Sequence, residues 1–185
     1  LMVEENTPMA QMVAKNSSIL PTEDAMADME QVTEELLSNV FRRYEISNFA
    51  RPGYECRHNI HYWQNGSYLG VGAGAVSSLR GVRVCNATEP RLFCMMVEQD
   101  ELPIVSMESL CRHARFRESV IMGLRMIDGV NVSELESRFG VSPEEYYGKE
   151  LTELIDTNLL EREDGRLKLT TRALPVANQV LAKLV

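Results

Sequence analysis

Val132-Ser133-Glu134-Leu135-Glu136-Ser137-Arg138-Phe139-Gly140-Val141-Ser142-Pro143-Glu144-Glu145 decides the fold of the C-terminal half. Val132 to Phe139 reads as a short helix stopped by Gly140, the residue type that most easily takes the left-handed turn closing a helix. Ser142 then caps a new helix with Pro143 at its first position and two carboxylates in its first turn. Leu151, Leu154, Ile155 and Leu159 follow at three- and four-residue steps and carry its core face. Glu163-Asp164-Gly165 is a hairpin turn, Leu167 and Leu169 alternate with Arg166 and Lys168 as a strand does, and Leu174 to Val185 closes as a helix. Upstream, Ser106, Met107, Leu110, Ala114, Ile121 and Leu124 mark one face of a long helix ending near Asp128-Gly129. Helix, helix, helix, two-stranded wing, helix is the outline of a small winged-helix-like domain. The change of texture at Asp100-Glu101-Leu102-Pro103 puts a boundary at 100–105, giving domains 1–103 and 104–185.

The first domain is more varied. Thr22, with Pro21 before it and Glu23 and Asp24 after it, suits a helix N-terminus. Ala25, Met26, Met29, Val32, Leu36, Leu37 and Val40 then form an apolar stripe expected to face a core, leaving Asp28, Glu30, Glu34 and Glu35 in water. Arg43 to Ala50 reads as a strand broken at Arg51-Pro52-Gly53, and Tyr54 to Ser67 as a loop holding the single tryptophan and two of three histidines. Tyr68-Leu69-Gly70-Val71-Gly72-Ala73-Gly74-Ala75-Val76-Ser77 runs into three glycines at alternate positions, where the chain turns tightly or approaches something closely. The expected fold class is α/β.

Composition sets the outer limits. The 185 residues carry 19 basic and 27 acidic side chains, a net charge of −8, with 44% hydrophobic content. A chain of this length buries enough surface to fold without a metal or disulfide staple. No apolar run reaches the ~20 residues of a membrane span, and the start lacks the order of a signal peptide, so a cytoplasmic location is expected. The opening Leu1-Met2-Val3 reads as the start of a piece cut from a longer chain, here taken as a C-terminal fragment. The acidic balance opposes generic binding to nucleic acid. Residues 142–160 pose the same objection locally: Glu144, Glu145, Glu150, Glu153 and Asp156 face Lys149 alone, so the helix that would enter a DNA groove is net −4.

Cys56-Arg57-His58-Asn59-Ile60-His61-Tyr62-Trp63 is the densest chemical constellation. One thiol and two imidazoles within six residues offer donors for zinc or haem iron, and two aromatic rings offer a platform for a flat macrocycle. Structural zinc needs four ligands, and His113 is the one histidine left over. The plainer reading is a loop pinned by buried rings. The glycine run lacks the Lys-Ser/Thr of a phosphate loop and the spacing of a dinucleotide fingerprint, so by itself it marks close backbone packing as readily as a cofactor. No nucleophile, base and acid are arranged for catalysis.

Tyr44-Glu45-Ile46-Ser47-Asn48-Phe49-Ala50-Arg51-Pro52-Gly53, then Glu55 to Asn59, Tyr62-Trp63 and the run from Tyr68 to Ala75, resemble the oxygen-independent coproporphyrinogen III oxidase-like family of radical S-adenosylmethionine (SAM) proteins. The closest branch is the haem-chaperone one, and the likeness continues through Gly123-Leu124-Arg125-Met126 and Gly129. The resemblance implies the last part of a partial (β/α) barrel in 1–103, then a winged-helix-type domain in 104–185. It implies S-adenosylmethionine and a four-iron, four-sulfur cluster in the full-length parent, on a CxxxCxxC motif that this chain does not contain. This piece is therefore not expected to be catalytic alone.

The family's HNxxYW motif falls on His58, Asn59, Tyr62 and Trp63 and implies haem binding, with His58 supplying an axial nitrogen, Asn59 orienting it, and Tyr62 and Trp63 forming an apolar platform. Gly70, Gly72, Gly74 and Val76 match the family's loop near cofactor or substrate, with Val76 standing where chaperone-branch members commonly have histidine. The function implied first is a haem chaperone that delivers a tetrapyrrole to an acceptor protein. The alternatives are oxidative decarboxylation of coproporphyrinogen III and a non-catalytic winged-helix interaction module.

Overall fold

The computed structural model describes residues 3–185 and divides into two compact units, 1–42 and 43–185. The first unit holds α1 (Pro8–Lys15), a single 3-10 turn and α2 (Glu23–Leu37). Both helices start as their sequence dictates: the hydroxyls of Thr7 and Thr22 accept from the amides of Ala10 and Ala25. The apolar stripe of α2, expected to face a core, finds none within its own unit. Met29, Val32 and Leu36 are exposed, Leu36 at 75%. Two helices and a turn cannot surround a third face, so periodicity alone did not deliver burial here.

In the second unit, β1 (Arg42–Glu45) and β2 (Asn48–Ala50) form a hairpin where a single strand was expected. Glu45 explains the reversal. Its carboxylate, fully buried, accepts from the amide of Ser47 at 3.2 Å and from the side-chain amide of Asn48, which folds the chain back on itself. The amides of Ile46 and Ile127 bond the carbonyls of Arg125 and Tyr44, joining this hairpin to the segment after the fifth helix. Then come α3 (Arg57–Trp63), β3 (Val76–Leu79), β4 (Val82–Asn86), α4 (Pro90–Glu98) and β5 (Ile104–Ser109).

β3, β4 and β5 make an antiparallel sheet in that order. The helix expected from Ser106 is therefore a strand as far as Ser109, and α5 (Arg112–Gly123) begins only beyond Leu110. Val105 and Met107 are exposed, so the first part of the expected helix face is not a buried one, whereas its later members Ile121 and Leu124 do pack in the core. The boundary expected at 103/104 falls just before β5, which pairs with β4 at every residue but Val105.

The remainder runs β6 (Val130–Asn131), α6 (Val132–Phe139), α7 (Pro143–Tyr147), α8 (Lys149–Asp156), β7 (Leu160–Glu163), β8 (Arg166–Leu169), a 3-10 stretch and α9 (Ala177–Ala182). Helix, strand, helix, paired helices and a two-stranded wing is the winged-helix order, with β8 central in the sheet β6-β8-β7. Local chemistry sets the breaks. Asn131 caps α6, Gly140 ends it at φ +59°, and Ser142 with Glu145 forms a reciprocal capping box on α7. The single helix expected after Ser142 is split at Gly148, whose φ of +54° leaves helical geometry. Phe116, Val120 and Leu124 of α5 meet Leu135, Phe139, Leu151, Leu154, Leu160, Leu167 and Leu184 in one core. No helix among the described residues is long and apolar enough to cross a membrane.

Two predictions test this core. Gly129 sits at φ +62°, and a Cβ there would lie 2.1 Å from the Leu167 carbonyl oxygen. Gly129→Ala is expected to cost about 3 kcal/mol in urea unfolding, combining backbone strain with overpacking of the central strand. The Tyr147 hydroxyl is buried without a hydrogen-bond partner, and burial pushes its pKa well above the ordinary tyrosine value, with Tyr146 adding to the rise. The stability this neutral phenol confers is intact below the unfolded value near ~10 and lost as pH rises beyond it, because only the unfolded chain then releases the proton. Tyr147→Phe is expected to match or exceed wild type at pH 7 and to lose less stability between about pH 9 and 11.

Candidate functional site

The stretch from Tyr54 to Ser67, expected as a loop, winds seven residues into α3. Cys56 stands at its N-cap without a side-chain capping bond, so nothing in the flanking residues announces the helix. The turn after it passes through Asn65 at φ +52°, and the side chain of Asn65 reaches across to donate to the Ser119 hydroxyl of α5 at 3.2 Å. Gly66 follows for a steric reason: a Cβ there would fall 2.3 Å from the His61 ring. That ring folds back over the turn with Nε2 2.8 Å from the carbonyl oxygen of Ser67. A carbonyl only accepts, so this nitrogen carries the proton, and the lone pair of the neutral ring is left on Nδ1.

His58 is the opposite case. It is exposed, and among the described residues neither ring nitrogen has a hydrogen-bond partner. One turn further on lies Tyr62, with ring centroids 4.8 Å apart and nearly perpendicular. Tyr62 in turn meets Tyr68 at 4.7 Å, so three rings form a ladder from the helix surface toward the sheet. Tyr68 was seen in the sequence only as the start of the glycine run, and the pairing that makes it part of the ladder is the bridge between its backbone and Ser78 of β3. Beside it, Arg83 of β4 donates to Glu118 of α5 at 2.9 Å, and that hydrogen bond raises the Arg83 pKa above its ordinary value.

Asn59 and Trp63 lie on a different face of the helix. Trp63 carries the guanidinium of Arg125 over its ring at 4.7 Å. No hydrogen bond joins Asn59 to His58 among the described residues; the ring contact of His58 is to Tyr62. The four motif residues therefore do not converge on one point. Tyr62 borders a cavity of about 140 Å³ with Tyr68, Arg83 and Glu118, whereas Trp63 borders a larger one of about 450 Å³.

The glycine run has its own geometry. A Cβ on Gly70 would lie 2.3 Å from the Val76 carbonyl oxygen, so here the strand backbone itself demands glycine. Gly72 and Gly74 have φ of +105° and +70°. The Gly72 carbonyl accepts from the Asn86 side chain at 3.0 Å, and the Gly74 amide donates to Ala87 at 2.8 Å, which folds the run into a compact turn ahead of half-buried Val76. Val71 at its tip is 92% exposed.

Cys56, Cys85, Cys94 and Cys111 are all free thiols, and no group of three or more metal-binding side chains occurs among the described residues. These residues do not fit an iron–sulfur cluster.

Comparison with known proteins places this geometry. The protein-family model for the HemN C-terminal domain matches residues 110–176, a span from the start of α5 to the last 3-10 stretch. The heme chaperone HemW of Lactococcus lactis is 34% identical over the whole chain and 48% of its own length, and that of Bacillus subtilis 28% identical over 97% of the chain and 48% of its own. The heme chaperone HemW of Mycobacterium tuberculosis is 31% identical over 46% of its length. The chain thus spans about half the length of the curated relatives it matches. Among solved structures, the Escherichia coli coproporphyrinogen III oxidase HemN, a radical SAM enzyme, superposes with a TM-score of 0.71 over 89% of this chain and 42% of the other. At 18% identity that likeness speaks for the fold. The chain belongs to the HemN-like radical S-adenosylmethionine family, in the branch whose relatives are named heme chaperones.

Proposed function

We propose that this chain is the C-terminal portion of a cytoplasmic haem-binding chaperone and that α3 presents haem to be passed to an acceptor protein. The observation that carries the reading is the exposed and untethered His58 ring set edge-on against Tyr62. His61 has Nε2 committed to the Ser67 carbonyl, while His58, exposed, keeps its nitrogens free beside the Tyr62 edge. A neutral imidazole with a free lone pair is the usual proximal ligand of haem iron, and an aromatic edge gives the macrocycle an apolar neighbour. Bound haem would supply the iron and the flat apolar surface to be delivered. In this reading His58 holds the iron, Tyr62 and Tyr68 shape the apolar side, and Asn59 and Trp63 fix the helix that carries them. We propose further that Gly70, Gly72, Gly74 and Val76 form the edge that approaches cofactor or substrate in the intact protein. S-adenosylmethionine and the four-iron, four-sulfur cluster, which the family implies, would be held by the part of the protein outside this chain.

The relatives named heme chaperones support this reading over decarboxylation of coproporphyrinogen, because the likeness to the oxidase lies in the fold. A haemin titration read at the Soret band is expected to saturate with wild type and with His61→Ala, and to lose the shift in His58→Ala. Equal shifts in wild type and His58→Ala would overturn His58 as the ligand, and an absent shift in wild type would overturn haem binding by this chain.

A further inference from the structure

We infer that the small cavity between the β3–β4 turn and helices α5 and α6 is a binding site for a phosphoryl dianion, taken as the free ion or as the end group of a small phosphate ester. The inference does not depend on where haem binds. The cavity holds about 80 Å³, far below the roughly 300–1,000 Å³ of pockets that enclose a whole small molecule, so it admits one compact group. Three arginines line it: Arg80 in the turn, Arg115 on α5 and Arg138 on α6. The turn is built around two of them. Leu79 pairs with Val82, which leaves Arg80 and Gly81 as a two-residue loop with φ of +50° and +84°. Such a loop favours Asn-Gly, and the arginine at its first position holds a left-handed conformation that asparagine takes with less strain. Gly81 is demanded by Arg115: a Cβ there would lie 2.7 Å from its Cδ and 2.8 Å from its Nε. The side chain of Arg115, half-buried, therefore lies directly against the turn that carries Arg80.

Charge selects the ligand. Among the described residues no acid forms an ion pair with Arg80 or Arg115. The carboxylate that faces Arg138, that of Glu134, is 3.9 Å away, beyond hydrogen-bonding distance. Glu118 is the one acid of the lining, and it already accepts from Arg83 at 2.9 Å. The side-chain carbonyl of Asn65 and the hydroxyls of Ser67 and Ser78 also line the cavity; they can accept N–H hydrogens but bring no charge. Three guanidiniums against one carboxylate already committed to Arg83 leave an excess of at least two positive charges, in a chain whose net charge is −8. A carboxylate ligand would offset only part of that excess. A phosphoryl group brings close to two negative charges and three strong acceptor oxygens, one for each arginine. The buried Ser119 hydroxyl, which accepts from Asn65, keeps its own hydrogen to donate.

Isothermal titration calorimetry of the chain at constant ionic strength, with inorganic phosphate as the probe and acetate as the comparison, tests the assignment. Phosphate is expected to give saturable heat at one site, and acetate to bind about tenfold more weakly. Glycerol 3-phosphate separates the two sources: binding tighter than phosphate assigns the site to an ester's end group, and binding no tighter assigns it to the free ion. Arg115→Gln should weaken phosphate binding by about tenfold or more through loss of a charge-assisted contact. Arg80→Asn is the variant that a folding defect cannot imitate. It removes a charge while relieving the strained turn, so it should weaken phosphate binding by about tenfold with a urea midpoint equal to or above that of wild type. Arg91→Gln, on α4 and outside the lining, should bind as wild type does. No saturable heat with phosphate, acetate binding as tightly, wild-type affinity in Arg80→Asn, or an equal loss in Arg91→Gln would overturn the assignment.

Discussion

Helix α5 packs in two directions at once, and the second unit depends on it. One side gives Phe116, Val120 and Leu124 to the core shared with the three-stranded wing sheet and the helices around it. The other side holds polar partners: Ser119 receives the Asn65 amide from the turn after α3, and Glu118 receives Arg83 from β4. The carbonyl of Arg125, just past its end, accepts from Ile46 and so pins the hairpin made by Glu45. A seven-residue helix such as α3 is too short to persist in water on its own. Its position is set by these tethers, and with it the positions of His58, Tyr62 and Trp63.

This arrangement makes the aromatic motif a product of tertiary structure. The buried Glu45 carboxylate turns the chain, the hairpin delivers it to Pro52-Gly53, and α3 begins four residues later. Helical spacing then separates the motif into two faces, His58 with Tyr62 and Asn59 with Trp63. The first face is open and aromatic. The second borders a polar cavity with surplus positive charge.

Much of the C-terminal region was legible because its signals are local. Gly140, Ser142 with Glu145, and Asp164-Gly165 each fix a cap or a turn through bonds within four residues. The rest depended on distant partners. β5 was read as helix because Ser106, Met107 and Leu110 happen to fall at helical steps, while the fact that decides its state is the ladder to β4, whose partners such as Val82 and Ser109 are distant in sequence. α3 was read as loop because Cys56 gives no cap, and its helicity answers to α5. The stripe on α2 shows the converse: a clear period with no core in its unit to receive it. At the site, the motif residues were found by their likeness to a family. The contrast between His58 and His61 rests on the fold-back allowed by Gly66, which no spacing reveals.

The most direct test of the account is histidine side-chain nuclear magnetic resonance with gallium protoporphyrin, a diamagnetic stand-in for haem. The chain has three histidines, so three ring systems are followed together. The account predicts that His58 ring protons alone take the large upfield shift of an axial ligand beneath the porphyrin ring current, with His61 and His113 nearly unmoved. The large shift falling on His61 or His113, or on no histidine, would contradict it.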